Sequence, residues 1–245
     1  MIKLKYNIFL LLVLFTSITN AQTIHHYNMW SKLSIAQPIT KQFKTEVDFQ
    51  YRTQNNFFAN NTPFDKHLLS SLIVTLNYQL NKNLSFSVSP FAYIVSHAII
   101  QQENDIDRLA IREFRFSGSI DMQEQLANHF YLINKTGIEY RDFDSTADLI
   151  RLRNKIGLRY DLGEKTYLTI YEEPFFNISG ATRLHFYDHN RLALLGAFKA
   201  DKHWRVETGL MHINRLPRIS AIALQEENIV VNLYYTLNTL INHKS

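Results

Sequence analysis

The residues of this chain that could do chemistry are charged, and they recur at every second position. Between Leu149 and Leu162 the chain reads LIRLRNKIGLRYDL. Arg151, Arg153, Lys155 and Arg159 occupy one set of alternate positions, and Ile150, Leu152, Ile156, Leu158, Tyr160 and Leu162 the other. The same alternation sets Glu46, Asp48 and Arg52 against Val47, Phe49 and Tyr51, and Glu113 and Arg115 against Phe114 and Phe116. It sets Lys135, Glu139 and Arg141 against Ile138 and Tyr140, Glu173 against Leu168 and Ile170, Arg191 against Leu192, and Arg205 and Glu207 against Trp204 and Val206. A period of two is that of a β-strand, whose successive side chains point to opposite faces.

Carboxylates and guanidiniums gathered on one face allow two kinds of chemistry. Crossed Arg–carboxylate pairs fill a narrow space as a polar core, in which every member must be satisfied because an unpaired buried charge is costly. Alternatively, a surplus of positive charge carried by Arg151, Arg153, Lys155 and Arg159 lines a pore or cavity that favours anions. The plain structural role is the first of these.

Other chemistry is more thinly supported. A hydrolase needs a nucleophile beside a histidine. His67, His97, His185, His189 and His212, with Ser70, Ser71 and Ser96, supply the types, but no GxSxG elbow links them. His185 and His189 on one strand would lie about 13 Å apart, too far for one metal ion. Asp142, Asp144 and Asp148 lack the glycine and terminal glutamate of a calcium loop. No catalytic residue, metal site or cofactor is expected.

The elements that must position the charged rows are strands. Eleven alternating segments can be followed from Met29 to Asn238, none with a helical period. They are about ten to fifteen residues long, beyond the usual soluble strand of about five or six and enough for a tilted membrane strand of about nine to eleven. Their connections alternate between short links near Lys41, Lys82, Glu164 and Asp201 and longer ones near Asn60, Asn104, Ser179 and Arg218. Short periplasmic turns and long outer loops produce that asymmetry in membrane barrels. Pro90 and Phe91 mark a bulge or a change of face, and Tyr27, Trp30, Tyr140, Trp204 and Tyr234 fall near strand ends, where aromatic girdles sit.

Residues 1–21 read as a cleaved signal peptide: Lys3 and Lys5, an apolar run from Ile8 to Phe15, and small residues up to Ala21. The remaining 22–245 form a single barrel domain. Cysteine is absent, the formal charge is +4, and after residue 21 no apolar stretch is long enough for a spanning helix. A closed barrel is then the route left for crossing a membrane. No basic patch interleaves with stacking aromatics, so nucleic acid is not an expected partner. Bacterial single-chain barrels have even strand numbers. Eleven segments therefore leave two ways out: the first is no wall strand, giving ten, or one has been missed, giving twelve.

Several local patterns carry a resemblance. They are Trp30, Gln50-Tyr51-Arg52, the pairs Glu113-Phe114-Arg115 and Glu139-Tyr140-Arg141, and Arg151-Leu152-Arg153 with Gly157 and Arg159. Glu172-Glu173-Pro174-Phe175 and Asn190-Arg191-Leu192 followed by Gly196 complete the set. In order and spacing they resemble the exported bacterial family catalogued as domain of unknown function 2490. The resemblance implies an outer-membrane β-barrel-like fold over nearly the whole mature chain, and no assigned activity or site residues.

The expectation is an all-β, antiparallel up-and-down transmembrane barrel of ten to twelve strands with a charged lumen, in the outer membrane of a Gram-negative cell. Its expected partners are membrane lipid and the barrel insertion machinery. Its expected role is structural or that of a narrow channel. The alternatives are a lipid hydrolase on the same architecture, and a soluble periplasmic ligand-binding barrel with the apolar faces turned inward.

Overall fold

The alternation produces eleven strands in the computed structural model, which describes residues 23–59, 61–216 and 223–240. They are β1 (Thr23–Pro38), β2 (Phe43–Gln54), β3 (Lys66–Gln79), β4 (Leu84–Ser96), β5 (Ile111–Ala127), β6 (Phe130–Phe143), β7 (Leu149–Asp161), β8 (Thr166–Ser179), β9 (Tyr187–Lys199), β10 (Trp204–Arg215) and β11 (Ala223–Thr236). Strand lengths run from 12 to 17 residues. The expected signal segment 1–21, and Asn60, Pro217 and Arg218 of the long connections, lie outside the described residues.

Each strand pairs antiparallel with its sequence neighbour, and the ring closes between β1 and β11. That closing pair is parallel, running in register from Thr23↔Ala223 to Ala36↔Thr236. This settles the strand number. β1 is a full wall strand, and eleven strands running alternately up and down must bring the first and last side by side in the same direction. An even count is needed only when the closing pair is antiparallel. A further consequence is that β1 enters at the rim where β10 ends and β11 begins, which also carries the connections after β2, β4, β6 and β8. β11 leaves at the other rim, with the turns 39–42, 80–83, 128–129, 162–165 and 200–203.

Those turns have local causes. Asn81 Oδ1 accepts the backbone N–H groups of Asn83 and Leu84 at 2.9 and 3.0 Å. Asp201 Oδ1 accepts those of His203 and Trp204, both at 2.7 Å. The N–H groups of Trp204 and His203 stabilise the ionised form and hold the Asp201 carboxyl below the usual carboxylate range.

The faces separate as a barrel wall should. Outward and exposed are Phe49, Phe86, Val88, Phe116, Ile120, Ile138, Ile170, Leu192, Leu194, Leu210, Ile229 and Leu233. Inward and buried are Glu113, Glu139, Arg151, Glu173, Glu226, Ala193, Leu195 and Met211. The apolar exterior is interrupted across β6 to β9, where Asn154 donates to Thr136 at 2.7 Å and Asn190 to Glu172 at 2.6 Å, and on β10 and β11, where His212 meets Glu227 at 2.6 Å.

Two bulges shift the faces. The β2–β3 register slips between Arg52 and Thr53, and Leu68, which simple alternation assigns outward, is buried and borders the interior cavity. The β4–β5 register slips between Ser89 and Tyr93. Pro90 sits in that gap, as its missing N–H demands. Phe91 is then outward, while Ala92 and Ile94 turn inward at 2% and 3% exposure. Trp30 and Tyr234 are not girdle residues: both line the interior. Tyr27, Tyr140 and Trp204 do face outward.

Gly157 stands in the inward row between Lys155 and Arg159, where the β8 backbone passes unusually close. A Cβ there would lie 2.2 Å from Ile170 O and 2.6 Å from Tyr171 Cβ. Backbone cannot yield that far, so Gly157→Ala is expected to abolish the closed barrel. On a gel run without boiling, the fast-migrating folded band should disappear, whereas Gly163→Ala in an open turn, with nothing within 4 Å, should keep it.

Candidate functional site

The barrel interior is built from the inward rows of β5 to β9. Glu113 is the first node. It accepts Arg115 Nε at 2.7 Å and a two-pronged contact from Arg141, Nε and Nη2 both at 2.8 Å. Arg115 and Arg141 stand opposite each other across the β5–β6 pair. Two like charges there are tolerable because Glu113 bridges them.

Glu139 is the second node and is 3% exposed. Arg151 reaches it at 2.6 Å, Arg153 at 3.0 Å and Arg115 at 3.7 Å. Arg151 also donates to Asp188 at 2.8 Å. Glu173, 2% exposed, faces Arg153 at 3.1 Å and Arg191 at 3.5 Å. The nodes join into one network because Arg115, Arg151 and Arg153 each serve two carboxylates. Phe175, fully buried, lies among them, with Arg191, Arg151 and Arg153 at 4.3, 4.8 and 5.7 Å from its ring centre. Its electron-rich face adds attraction for these cations.

Toward the short-turn rim the pairs are separate. Lys32 meets Asp48 at 3.7 Å, Lys135 meets Asp121 at 3.1 Å and Arg159 meets Asp161 at 2.7 Å. Glu46 accepts Ser34 Oγ at 2.9 Å and Lys44 Nζ at 3.3 Å. Glu207 accepts Asn232 and the Tyr234 hydroxyl at 2.8 and 3.1 Å. At the opposite rim Glu226 accepts Arg215 at 2.8 Å and Asn28 at 3.0 Å. Above it Gln54 ties in the 97–110 connection, donating to Ala98 O at 2.8 Å and accepting Ile100 N at 3.1 Å.

Three cations stand apart. Among the described residues Arg52, Lys155 and Arg205 make no ion pair with a carboxylate; each instead lies over an aromatic ring. Arg52 sits 3.4 Å from the Trp30 ring centre and donates to Gln50 Oε1 at 2.8 Å. Lys155 sits 4.2 Å from Tyr171. Arg205 sits 3.8 Å from Tyr234 and donates to the Tyr167 hydroxyl at 3.1 Å. They face a cavity of about 660 Å³, lined by eleven Lys or Arg residues and four Glu.

All sixteen residues of the charged rows thus lie on inward faces, with Glu46, Asp48 and Lys135 toward the short-turn rim. Lys32, Asp121, Asp161, Asp188, Arg215 and Glu226 join them. Glu226 reads from sequence as a loop residue, but β11 begins at Ala223 and carries it inward. The aromatic partners have the same period-two signal, which does not distinguish a ring under an inward cation from one on the outer face. Of the hydrolase candidates, Ser71, Ser96, His97 and His189 border the cavity. His67 stacks on the outward Tyr51 and meets His97 edge-on, both at 4.9 Å. His189 is buried, stacked on Phe175 at 4.0 Å and bonded to Asp188 at 3.1 Å.

Comparison with known proteins gives a family and a likeness among solved structures. A family model described as "Protein of unknown function (DUF2490)" matches residues 27–217. Among solved structures, OmpT, an outer membrane protein of Vibrio cholerae that was folded in vitro, aligns with 8% identity and a TM-score of 0.33. The alignment covers 78% of this chain and 87% of that one. No curated protein matches.

Proposed function

The chain belongs to the family described as Protein of unknown function (DUF2490), a description that carries no activity, and from that premise we propose that it is an outer-membrane barrel of a Gram-negative cell whose interior is a narrow passage favouring anions. The observation that carries this reading is that, among the described residues, Arg52, Lys155 and Arg205 face the cavity with no carboxylate paired to them, whereas the other cations of its lining each have one. Fixed positive charge in a confined, poorly screened space attracts anions and repels cations.

The location rests on separate support. Most of the exterior at the height of the strand centres is exposed apolar side chains, the polar groups on β6 to β9 being the break in it. Strands of at least 12 residues exceed the span a tilted membrane strand needs. Residues 1–21 carry the pattern of a cleaved export signal. Such a barrel would have lipid and the insertion machinery as its partners.

The test is the reversal potential of the purified protein in a planar bilayer under a potassium chloride gradient. The expected sign is that of chloride preference. Replacing Arg52 and Lys155 together by Gln is expected to bring the potential close to zero while the closed band on an unboiled gel persists. A cation-selective potential, or a membrane with no protein-dependent conductance, would defeat the passage reading.

A further inference from the structure

The charged network accounts for one part of the interior and leaves another unexplained. β3 from Leu68 onward and the whole of β4 contain no Asp, Glu, Lys or Arg. Where these strands border the cavity they present Leu68, Leu69, Ile73 and Ile94, with the uncharged Ser71 and Ser96 among them. In the ring order they lie across the barrel from β9. That side presents Leu195, with Met211 and Val230 from the next two strands. The cavity therefore has an uncharged, largely apolar side on β3 and β4 and, facing it, an apolar patch set among the charged side chains of β9 to β11. A passage for small hydrated ions has no use for such walls, because apolar lining resists wetting.

Between the walls stand guanidiniums with donor capacity to spare. Arg52 and Arg191 share one indole, with their guanidinium carbons 3.4 and 5.1 Å from the Trp30 ring centre. Stacking covers the flat face of a guanidinium and leaves its N–H edge for an acceptor. The acceptor found by Arg52 is the neutral Gln50. Arg191 Nε and Arg205 Nε are buried with no acceptor. A carboxylate or a phosphate monoester is the group that fits two such forks. The volume, about 660 Å³, lies in the range of roughly 300–1,000 Å³ typical of small-molecule sites.

We infer that the cavity binds an amphipathic anion, an alkyl chain ending in a carboxylate, with its head on Arg52 and Arg191 beside Trp30 and its chain between the Leu68–Ile73–Ile94 wall and the Leu195–Met211–Val230 wall. This rests on the anion-favouring reading of the same cavity and adds the apolar half of the ligand. An alkyl phosphate offers the same head-group charge, and comparing the two head groups assigns the preference.

The chain has two tryptophans. Trp30 borders the cavity and Trp204 is on the outside. In phosphatidylcholine nanodiscs, the Trp204→Phe variant therefore reports the cavity, and Trp30→Phe reports the bilayer. With 2-bromododecanoate as quencher, whose bromine lies next to the head group, Trp30 emission is expected to fall saturably, and Trp204 emission only in proportion to partitioning. Unbrominated dodecanoate should reverse the Trp30 quenching, as should dodecyl phosphate if the head group is read by charge alone. Butanoate and dodecyltrimethylammonium should not. Arg52→Gln and Ile94→Gln should each weaken binding by about tenfold or more, the effect of one lost charge-assisted bond or one lost apolar contact surface.

Displacement by butanoate as effective as by dodecanoate, or an unchanged affinity in Ile94→Gln, would overturn the amphipathic ligand and leave a simple anion site. Displacement by dodecyltrimethylammonium would overturn the role of the arginines. Absence of saturable Trp30 quenching in a folded barrel that is still anion-selective would overturn this inference alone. Saturable quenching in a barrel without conductance would overturn the passage alone.

Discussion

Removing the Glu139 side chain, as Glu139→Ala, is expected to destabilise the barrel by about 3–5 kcal/mol, the cost of breaking a buried ion pair from one side. Three guanidiniums converge on this carboxylate, and two of them approach within 3.0 Å. Glu139 is 3% exposed and Arg151 5%, so water cannot replace the lost charge. Arg151 would keep Asp188, and Arg153 would keep Glu173, but each would be left half-paired beside the other. The expected observation is a folded band that converts to the unfolded one at markedly lower temperature or urea than wild type.

Glu46→Gln gives the contrast. Glu46 sits toward the short-turn rim, with Lys44 as its ion-pair partner at 3.3 Å, and pairs of that kind contribute about 0–1 kcal/mol. The two midpoints should separate clearly. Adding Arg151→Gln should cost less on a Glu139→Gln background than in the wild type, because the pair between the two is already lost and the coupling between neighbours in one network is non-additive. Equal shifts for Glu139→Ala and Glu46→Gln would mean that the network fills space without holding the wall together.

How much of this was legible in the sequence follows from what each feature depends on. The division into apolar outward rows and charged inward rows depends only on local alternation, so the spacing of Arg151, Arg153, Lys155 and Arg159 places them on one face. The sense of closure depends on the parity of the strand count. Eleven segments were visible, but the parallel meeting of β1 and β11 is a contact between residues two hundred positions apart in the chain, for example Asn28 and Asn228. Bulges hide for a related reason. Leu68 and Leu72 look like one face because nothing in their types records the slip opposite Arg52, whereas Pro90 gave its bulge away by lacking a donor. Trp30 and Tyr234 were misread because an aromatic near a strand end suits either an interfacial girdle or a resting place for Arg and Lys. Only the three-dimensional neighbours Arg52, Arg191, Lys32 and Arg205 decide between the two. The uncompensated cations were likewise invisible, since pairing is set by which rows meet across the lumen.

The exterior offers the test that decides what solvent this wall was built for. Leu194 lies near the centre of β9 and is 55% exposed. Across the strands it continues into Ile170 on one side and Leu210, then Ile229, on the other. Leu210 is exposed at 67%, and such a row over four strands has no reason to face water. If it faces hydrocarbon, Leu194→Arg places a charge near the bilayer midplane at a cost of about 2–4 kcal/mol. The variant should then fail to appear as a folded band in the outer-membrane fraction. If the row faces water, the same substitution replaces an exposed leucine with a solvated cation, and both stability and recovery should stay within the small range usual for surface changes. The adjacent Leu195 supplies the control for general sensitivity of the strand. It is buried against Trp30, Met211 and Val230, so Leu195→Arg disturbs the interior in either solvent, whereas Leu195→Met keeps the volume and should be tolerated in both. A barrel that accepts Leu194→Arg and Leu195→Met alike would have its apolar exterior in water, and the membrane passage would have to give way to a soluble ligand-binding barrel with the same charged interior.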